Sequence, residues 1–370
     1  MKNQQTTENN QQQLYSVINK LILIIIVLIV GIISIPIFLY YNNQPKEPSS
    51  NISKASTVNI SNSKEVVYWK AADIEGIRDL KLKENISYGK DLIAHTAKFL
   101  GPKGTVLQMS NGLNCQNCHL EAGTKVWGNN YGSVASLYPK FRARSGSVEN
   151  LYKRINDCLQ RSLNGIALDT NGKEMQAIAA YINFVGSNVE KGKKAEGAGF
   201  KDLAFLDRPA NPENGNLVYI AKCQSCHQKN GEGLFNSDQS EYTYPALWGQ
   251  HSYNDGAGLY RVSNLAKYVK YNMPQGTNYQ NPLLTDEEAW DVAAFVNSRN
   301  RPHINVPSDW PNISKKPIDH PFGPYADNFS AIQHKFGPFK PIVSAQKKRE
   351  ELEKDAKEKT ITNPIITRSK

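Results

Sequence analysis

The sequence predicts an all-α fold of two similar small domains that follow an N-terminal transmembrane anchor. The pattern Cys-x-x-Cys-His occurs at residues 115–119 and again at residues 223–227. In both places a segment with helical apolar spacing precedes the pattern, and a second such segment follows after a long loop. The chain of 370 residues is long enough for about two domains of ordinary size. Little strand is expected.

The anchor prediction rests on residues 21–41, which are almost wholly apolar and carry no charge. That length is close to the ~20 residues needed to cross a bilayer. A cleaved signal peptide has a shorter apolar core and a small-residue cleavage site, and neither is visible here. We therefore expect a cytoplasmic N-terminus at residues 1–20, the anchor at 21–41, and a flexible Asn-, Ser- and Pro-rich spacer at 42–64.

The first folded unit is expected over residues 65–188. Apolar residues at helical spacing predict one helix within residues 88–100, just before the first Cys-x-x-Cys-His pattern. The same criterion predicts a closing helix over residues 173–185. Residues 189–213 contain Gly, Lys and Pro and are expected to connect the two units.

The second folded unit is expected over residues 214–300. A helix around residues 215–222 leads into the second pattern, and a last helix follows Thr285 and ends at about Ser298. Thr285 and Glu288 have the spacing of a capping box, which marks a helix N-terminus. The remaining residues, 301–370, are expected to wrap the two units and to end in a charged, exposed helix.

The Cys-x-x-Cys-His pattern is typical of covalent haem c attachment. The thiols bind the porphyrin and the histidine ligates the iron. A zinc site would need further Cys or His at fixed spacings, and a thioredoxin-like pair would need a βαβ context; neither is visible. We therefore predict two cytochrome c-like domains, each enclosing one covalently bound haem c. The expected attachment residues are Cys115, Cys118, Cys223 and Cys226, and the proximal iron ligands are His119 and His227.

Haem c attachment also predicts where the protein is located. This type of haem is attached outside the cytoplasm, so the folded body is expected in the periplasm, tethered to the inner membrane by the anchor. A soluble periplasmic protein, released by signal cleavage, is the alternative. The net charge is +10, which is compatible with small anionic partners, a nucleic acid or a membrane surface. No nucleic-acid motif accompanies it, and we expect no nucleic-acid partner.

The distal iron ligand of the second haem is predicted to be Met273. It precedes Pro274 in the loop before the last helix, which is the usual arrangement for a thioether ligand. Methionine ligation raises the reduction potential, so this haem suits electron relay. His251 is a competing ligand, and a core methionine is the structural alternative.

The first domain has no comparable methionine, and its distal ligand is predicted to be Cys158. Met109 lies too close to the first haem motif, and Met175 resembles a core residue. Cys158 is the fifth cysteine and has no spare cysteine to pair with. Arg154 and Arg161 flank it and favour a thiolate. The alternative is a buried, inert thiol.

Several segments make the chain resemble the dihaem thiosulfate dehydrogenase family, whose members are also called tetrathionate-forming or tetrathionate-reducing cytochromes. The resemblance covers roughly residues 88–338, and its most specific part is the segment around Cys158. The shared segments are residues 114–120, 138–144, 154–158, 161–165, 174–177, 272–274 and 333–338.

The resemblance implies an activity and roles for particular residues. The family joins two thiosulfates into tetrathionate, releasing two electrons, or runs the reverse reaction. It implies that Cys158 ligates the active-site haem and takes part in catalysis. Arg144, Arg154 and Ser162 match substrate-site positions, although pairing with haem propionates is the alternative for both arginines. Some members have lysine where this chain has Asn272, so the chain matches the His/Met subtype.

The expected partners are thiosulfate or tetrathionate and a periplasmic or membrane redox partner, either a cytochrome or quinol-linked. Three other functions remain open from the residues alone. The chain could be a non-catalytic, membrane-tethered dihaem electron carrier, a dihaem peroxidase, or another sulfur-oxidising cytochrome whose haem-bound cysteine carries the substrate. The histidines outside the haem motifs are expected to be structural.

Overall fold

The computed structural model describes residues 20–26, 28 and 66–362. The chain separates into two units, Met1–Glu65 and Val66–Lys370. None of the described helices is both long and apolar enough to cross a membrane. Most of the predicted anchor at 21–41 and the whole spacer at 42–64 lie outside the described residues, and both stay predictions.

The second unit is mainly helical, as the sequence predicts. Its α-helices, in chain order, are α1 (Leu80–Ala94), α2 (Thr96–Leu100), α3 (Leu120–Gly123), α4 (Val134–Leu137), α5 (Leu151–Arg161), α6 (Lys173–Val185), α7 (Pro212–Lys222), α8 (Gln224–His227), α9 (Val262–Asn272), α10 (Asp286–Ser298), α11 (Ala331–Phe336) and α12 (Lys340–Thr362). Short 3-10 turns occur at Ile74–Gly76, Cys115–Asn117, Gly258–Tyr260 and Ile313–Lys315.

Two short antiparallel hairpins add to the predicted all-α fold. They are β1 (Lys140–Arg142) with β2 (Ser147–Glu149), and β3 (Leu234–Phe235) with β4 (Tyr242–Tyr244). In the first hairpin Lys140 lies opposite Glu149 and Arg142 opposite Ser147. This hairpin matters for function because it carries basic side chains to the site described below.

The same helix crossing occurs in both domains. Helix α1 packs on α6, and α7 packs on α10. A Cβ atom added at Gly89 would lie 2.0 Å from the carbonyl oxygen of Ala177, and one added at Gly215 would lie 1.9 Å from that of Asp291. Each crossing therefore brings two backbones so close that only glycine fits. The repeated order of helix, haem motif, loop and helix thus corresponds to a repeated packing geometry.

Each domain has its own hydrophobic core. The first contains the fully buried Met175, which agrees with its interpretation as a core residue, and also Met109. The second core is completed by Phe339 and Ile342 from the C-terminal segment. The end of the C-terminal segment, around residues 339–342, therefore folds back onto the second domain, although the predicted domain boundaries stay predictions.

The observed helix boundaries agree best with the predicted ones where capping residues or apolar spacing mark the helix clearly in the sequence. The closing helix predicted at 173–185 is α6, and the capping box of Thr285 and Glu288 starts α10. The helix predicted within 88–100 begins earlier, because Asp79 caps it by accepting a hydrogen bond from Leu82 N, and it breaks at His95. Helices α5 and α9 were not predicted from the sequence.

Candidate active site

The first haem motif lines a cavity of about 500 Å³ inside the first domain. Cys115, Cys118 and His119 lie on its wall, and so does Cys158. The Nδ1 atom of His119 lies 2.6 Å from the carbonyl oxygen of Asn129, which leaves Nε2 available for a metal. Burial lowers the pKa of His119 to about 4, so the imidazole is neutral, the form that ligates iron.

The second haem motif lines a cavity of about 480 Å³ that is formed mainly by the second domain and partly by the first. Cys223, Cys226 and His227 lie on its wall together with Met273. The Nδ1 atom of His227 lies 2.8 Å from the carbonyl oxygen of Pro245, so both motif histidines are oriented in the same way. His251, the competing ligand, is not among the described residues that line this cavity.

Both cavities fit covalent haem c. All five cysteines are free thiols, so each motif keeps both of its attachment sulfurs. Burial raises the pKa of Cys115 to about 11 and that of Cys118 to about 12, so these thiols are neutral. In each cavity an oriented imidazole is joined by a sulfur side chain from a distant part of the chain, Cys158 in the first and Met273 in the second.

Helix α5 presents Cys158 to the first cavity. Asn150 caps the helix by accepting a hydrogen bond from Lys153 N at 2.9 Å. Positions 154, 158 and 161 are spaced by four and three residues, so they share one face. The adjoining face, about a quarter-turn away, packs into the core through Leu151, Ile155 and Leu159, which also line the haem cavity. The amphipathic helix therefore places an arginine one turn before Cys158 and another just after it.

The second domain holds the C-terminal end of α5. The buried Asn254 donates from its backbone N–H to the carbonyl oxygen of Arg161 at 3.0 Å, and from Nδ2 to that of Gln160 at 2.8 Å. These carbonyls have no partner within the helix, so the contact satisfies them and fixes α5 against the second domain. The position of Cys158 thus depends on both domains.

A second cavity of about 390 Å³ adjoins the first at Cys158. Arg154 and Ser162 also line both cavities. Among the described residues that line the second cavity, Asp157 is the only carboxylate, and it forms an ion pair with Lys153. The basic residues on its wall are Lys140, Arg142, Arg144, Arg154, Arg161, Arg261 and Lys315. We call this cavity the cationic pocket.

The positive charge of the cationic pocket is only partly balanced, because Asp309 pairs with Arg161 and Asp319 pairs with Arg261. The pKa of Arg154 is raised, chiefly by Cys158, and Arg154 takes part in none of the ion pairs of residues 66–362. Burial, and then the neighbouring Arg161 and Arg154, lower the pKa of Arg144 to about 10, so its guanidinium is still charged at neutral pH. An anion bound here would relieve this repulsion, and guanidinium groups would hold its oxygens by charge-assisted hydrogen bonds.

The structure brings all four predicted catalytic residues together. Cys158, Arg144, Arg154 and Ser162 all line the cationic pocket. Sequence reasoning missed several further residues of the site. These are Lys140, Arg142, Arg261, Lys315 and Trp310, which line the pocket, and Asp309, which pairs with Arg161 without lining it.

For two of the missed residues the sequence held a usable signal. Lys140 and Arg142 are two apart in β1, and residues two apart on a strand face the same way. Residues from the second domain and from the C-terminal segment had no such signal, because they reach the pocket only through tertiary contacts.

Comparison with known families divides the chain in the same way. The family described as SoxA/TsdA, cytochrome c domain, matches residues 106–190, and the family described as cytochrome c matches residues 212–300. Both domains are therefore cytochrome c domains. The prediction of two covalently bound haem c groups is confirmed.

Three similar proteins bear on the site. A thiosulfate dehydrogenase of Psychrobacter arcticus is 36% identical over 244 residues, covering 66% of this chain and 72% of that protein. One of Allochromatium vinosum is 36% identical over 204 residues, covering 54% of this chain and 74% of that protein. The solved thiosulfate dehydrogenase (TsdBA) from Marichromatium purpuratum has a TM-score of 0.58 and 29% identity over 64% of this chain. This chain spans 50% of that solved chain.

Proposed function

The chain belongs to the thiosulfate dehydrogenase family, and we propose that it couples two thiosulfate anions into tetrathionate at Cys158, and that the same site serves the reverse reduction. One observation carries the proposal: Cys158 lies where the haem cavity of the first domain meets the cationic pocket. An electron carrier has no need of a pocket rich in arginine beside a free thiol. A reaction that joins two dianions needs both.

The repulsion between two thiosulfate anions is the reason that the proposed reaction needs arginine side chains in the pocket. Two dianions that approach within a few ångströms repel each other strongly in a medium of low dielectric constant. Arg144 and Arg154 offset this repulsion and orient the sulfonate oxygens in planar, multiply bonded contacts. Ser162, at the end of α5, adds a hydroxyl group that donates a hydrogen bond to the same oxygens. The alternative role for both arginines is to pair with haem propionates, and that role would also depend on their positive charge.

The proposed steps balance in atoms and charge. The Cys158 thiolate and the sulfane sulfur of one thiosulfate form a sulfur–sulfur bond with loss of two electrons. The product is Cβ–Sγ–S–SO₃⁻, in which Sγ belongs to Cys158 and the next sulfur is the former sulfane sulfur. A second thiosulfate attacks the sulfane sulfur bound to Cys158. The bond to Cys158 breaks, tetrathionate forms, and the thiolate is regenerated. The covalent intermediate divides one difficult step into two.

Six further residues would hold the two haem groups. We propose that the motif thiols would form the covalent attachments, that the histidine of the first motif and Cys158 would ligate the first iron, and that the histidine of the second motif and Met273 would ligate the second. When bound, the haem groups supply two one-electron acceptors for the electrons that the sulfur chemistry releases. The motif thiols are those of Cys115, Cys118, Cys223 and Cys226, and the motif histidines are His119 and His227.

We further propose that the protein is located in the periplasm, because haem c is attached outside the cytoplasm. Its redox partner is proposed to be a cytochrome or a quinol-linked protein. The membrane tether at 21–41 belongs to this proposal.

A ferricyanide-coupled thiosulfate assay of the holoprotein tests the function. The wild type should reduce ferricyanide only when thiosulfate is present. Cys158→Gly should keep both haem groups bound, as measured by haem staining and by the pyridine haemochrome spectrum, yet lose thiosulfate oxidation. A wild type with both haems reducible but no turnover in either direction would make the chain an electron carrier instead.

A further inference from the structure

We propose that Trp310, in the C-terminal segment, is a positioning residue that holds Arg144 in the cationic pocket. The proposal rests on the proposed function only in taking thiosulfate as the natural anion. Trp310 lies 166 positions after Arg144 along the chain and lines the same pocket. It contacts Arg144 in two independent ways.

The first contact is between the side chains. The Arg144 guanidinium carbon lies 5.6 Å from the centroid of the Trp310 ring, within the range of a cation–π interaction. The Arg144 side chain is 16% exposed, so water screens this interaction only weakly. An aromatic face stabilises the guanidinium without occupying its N–H donors, which stay free for anion oxygens. A carboxylate in the same place would compete with the anion.

The second contact is through the backbone. The N–H of Trp310 donates to the carbonyl oxygen of Arg144 at 2.6 Å. Trp310 has a φ of 61°, in the left-handed region that bulky residues rarely adopt. Such a conformation persists only where the surroundings enforce it, and it occurs preferentially at functional sites. Here it points the N–H and the ring of one residue at the same arginine.

The residues on each side of Trp310 fasten this segment to the pocket. Asp309 accepts a hydrogen bond from Arg161 Nη2 at 2.9 Å, and its other oxygen lies 3.9 Å from Arg144 Nε. Asp309 therefore lies behind both arginines and does not line the pocket. Pro311 packs on the turn of the β1–β2 hairpin, where a Cβ atom added at Gly146 would lie 2.6 Å from the proline ring. The hairpin that carries Arg144 is thus held on two sides.

The orientation of the Trp310 ring is itself fixed. Its Nε1–H donates to His320 Nε2 at 3.1 Å, and His320 Nδ1 lies 3.1 Å from the carbonyl oxygen of Phe322. This pattern requires a neutral imidazole with its proton on Nδ1. Arg144, Trp310 and His320 therefore form a chain in which each group orients the next.

Three variants of the holoprotein separate positioning from folding. Trp310→Leu removes the aromatic face, and Trp310→Phe keeps a face but loses the indole donor. Phe329→Leu makes a similar aromatic-to-aliphatic change in the same segment, where the ring packs on the second core away from the cationic pocket. For each we would measure kcat and KM for thiosulfate, the unfolding midpoint, and sulfate binding by isothermal titration calorimetry. Sulfate is an unreactive dianion, so its binding does not depend on turnover.

We expect Trp310→Leu to raise KM and weaken sulfate binding about tenfold, as expected for loss of a buried cation–π contact. The value of kcat should change less than twofold. Trp310→Phe should recover most of the lost affinity, and Phe329→Leu should match the wild-type KM and sulfate affinity.

Two results would overturn the proposal. One is a Trp310→Leu protein whose KM and sulfate affinity stay within twofold of the wild-type values. The other is a result in which kcat, sulfate affinity and unfolding midpoint all fall together, by the same amount in Trp310→Leu and Trp310→Phe. A purely structural role of Trp310 would produce that result. If the wild type binds sulfate but does not oxidise thiosulfate, the proposed function fails and the sulfate series still decides the role of Trp310.

Discussion

Arg154 and Cys158 lie one helical turn apart on the same face of α5, and Cys158 is the main cause of the raised pKa of Arg154. Both side chains line the haem cavity and the cationic pocket, so an anion that reaches Cys158 also lies beside the guanidinium. Since Arg154 forms no other ion pair among residues 66–362, its donors are available to the sulfur and to an incoming anion at once.

This pairing predicts a large effect of removing the Arg154 charge. We expect Arg154→Gln to lower kcat/KM for thiosulfate by about 10- to 100-fold, the cost of losing a charge-assisted hydrogen bond. Arg154→Lys should recover only part of the loss, because an ammonium group lacks the planar fork. The exposed Arg299 contacts Trp248 outside the pocket, and Arg299→Gln is the matched control. Equal losses in both glutamine variants would contradict a role for Arg154 at the site.

Replacement of Met273 should alter the second haem alone. Met273→His substitutes a nitrogen ligand for the thioether, which should lower the reduction potential of that haem and slow electron transfer to ferricyanide. Redox titration followed by visible and EPR spectra would measure the change. Met109→Leu alters a core methionine of the first domain and should leave both potentials as they are. Spectra of Met273→His identical to the wild type would exclude Met273 as a ligand.

The two helix crossings predict that glycine is required at equivalent places. Gly89→Ala and Gly215→Ala each place a methyl group about 2 Å from a carbonyl oxygen of the facing helix. We expect either change to lower the free energy of unfolding by about 1–3 kcal/mol, the usual cost of overpacking. Guanidinium unfolding of the holoprotein would measure it. A Cβ added at Gly76 meets nothing within 4 Å, so Gly76→Ala should be nearly neutral, and a similar loss there would refute the packing explanation.

His320 predicts a pH dependence of stability. Burial lowers its pKa from the ordinary 6.5 to about 4. Between these values the unfolded chain binds more protons than the folded protein, so stability rises with pH. The His320 contribution is fully present above about pH 6.5 and is lost as the pH falls through about 4. Unfolding free energies measured across this interval should show a smaller slope for His320→Gln than for the wild type. Identical slopes would mean that His320 does not titrate in this way.

Local sequence signals predicted those parts of the fold that depend on neighbours along the chain. The capping box of Thr285 and Glu288 and the apolar spacing of α6 involve contacts within one or two turns. Helix α5 escaped detection because the charged Asp157 and Arg161 are buried alongside positions 151, 155 and 159, which blurs the apolar pattern that those three positions form. The break at His95 likewise depends on packing and has no strong local marker.

The sequence by itself determined which groups are available to the proposed chemistry: two attachment motifs, one unpaired sulfur, and arginines four positions before it and three after it are all visible in the linear order of residues. Only the tertiary structure decided how the anion pocket is closed. Arg161 meets Asp309 across 148 positions, and Arg144 meets Trp310 at a comparable separation. Contacts of this kind arise because the C-terminal segment folds back over both domains. Local periodicity does not encode them, because the two partners are far apart in the sequence and meet only when the separate elements pack together.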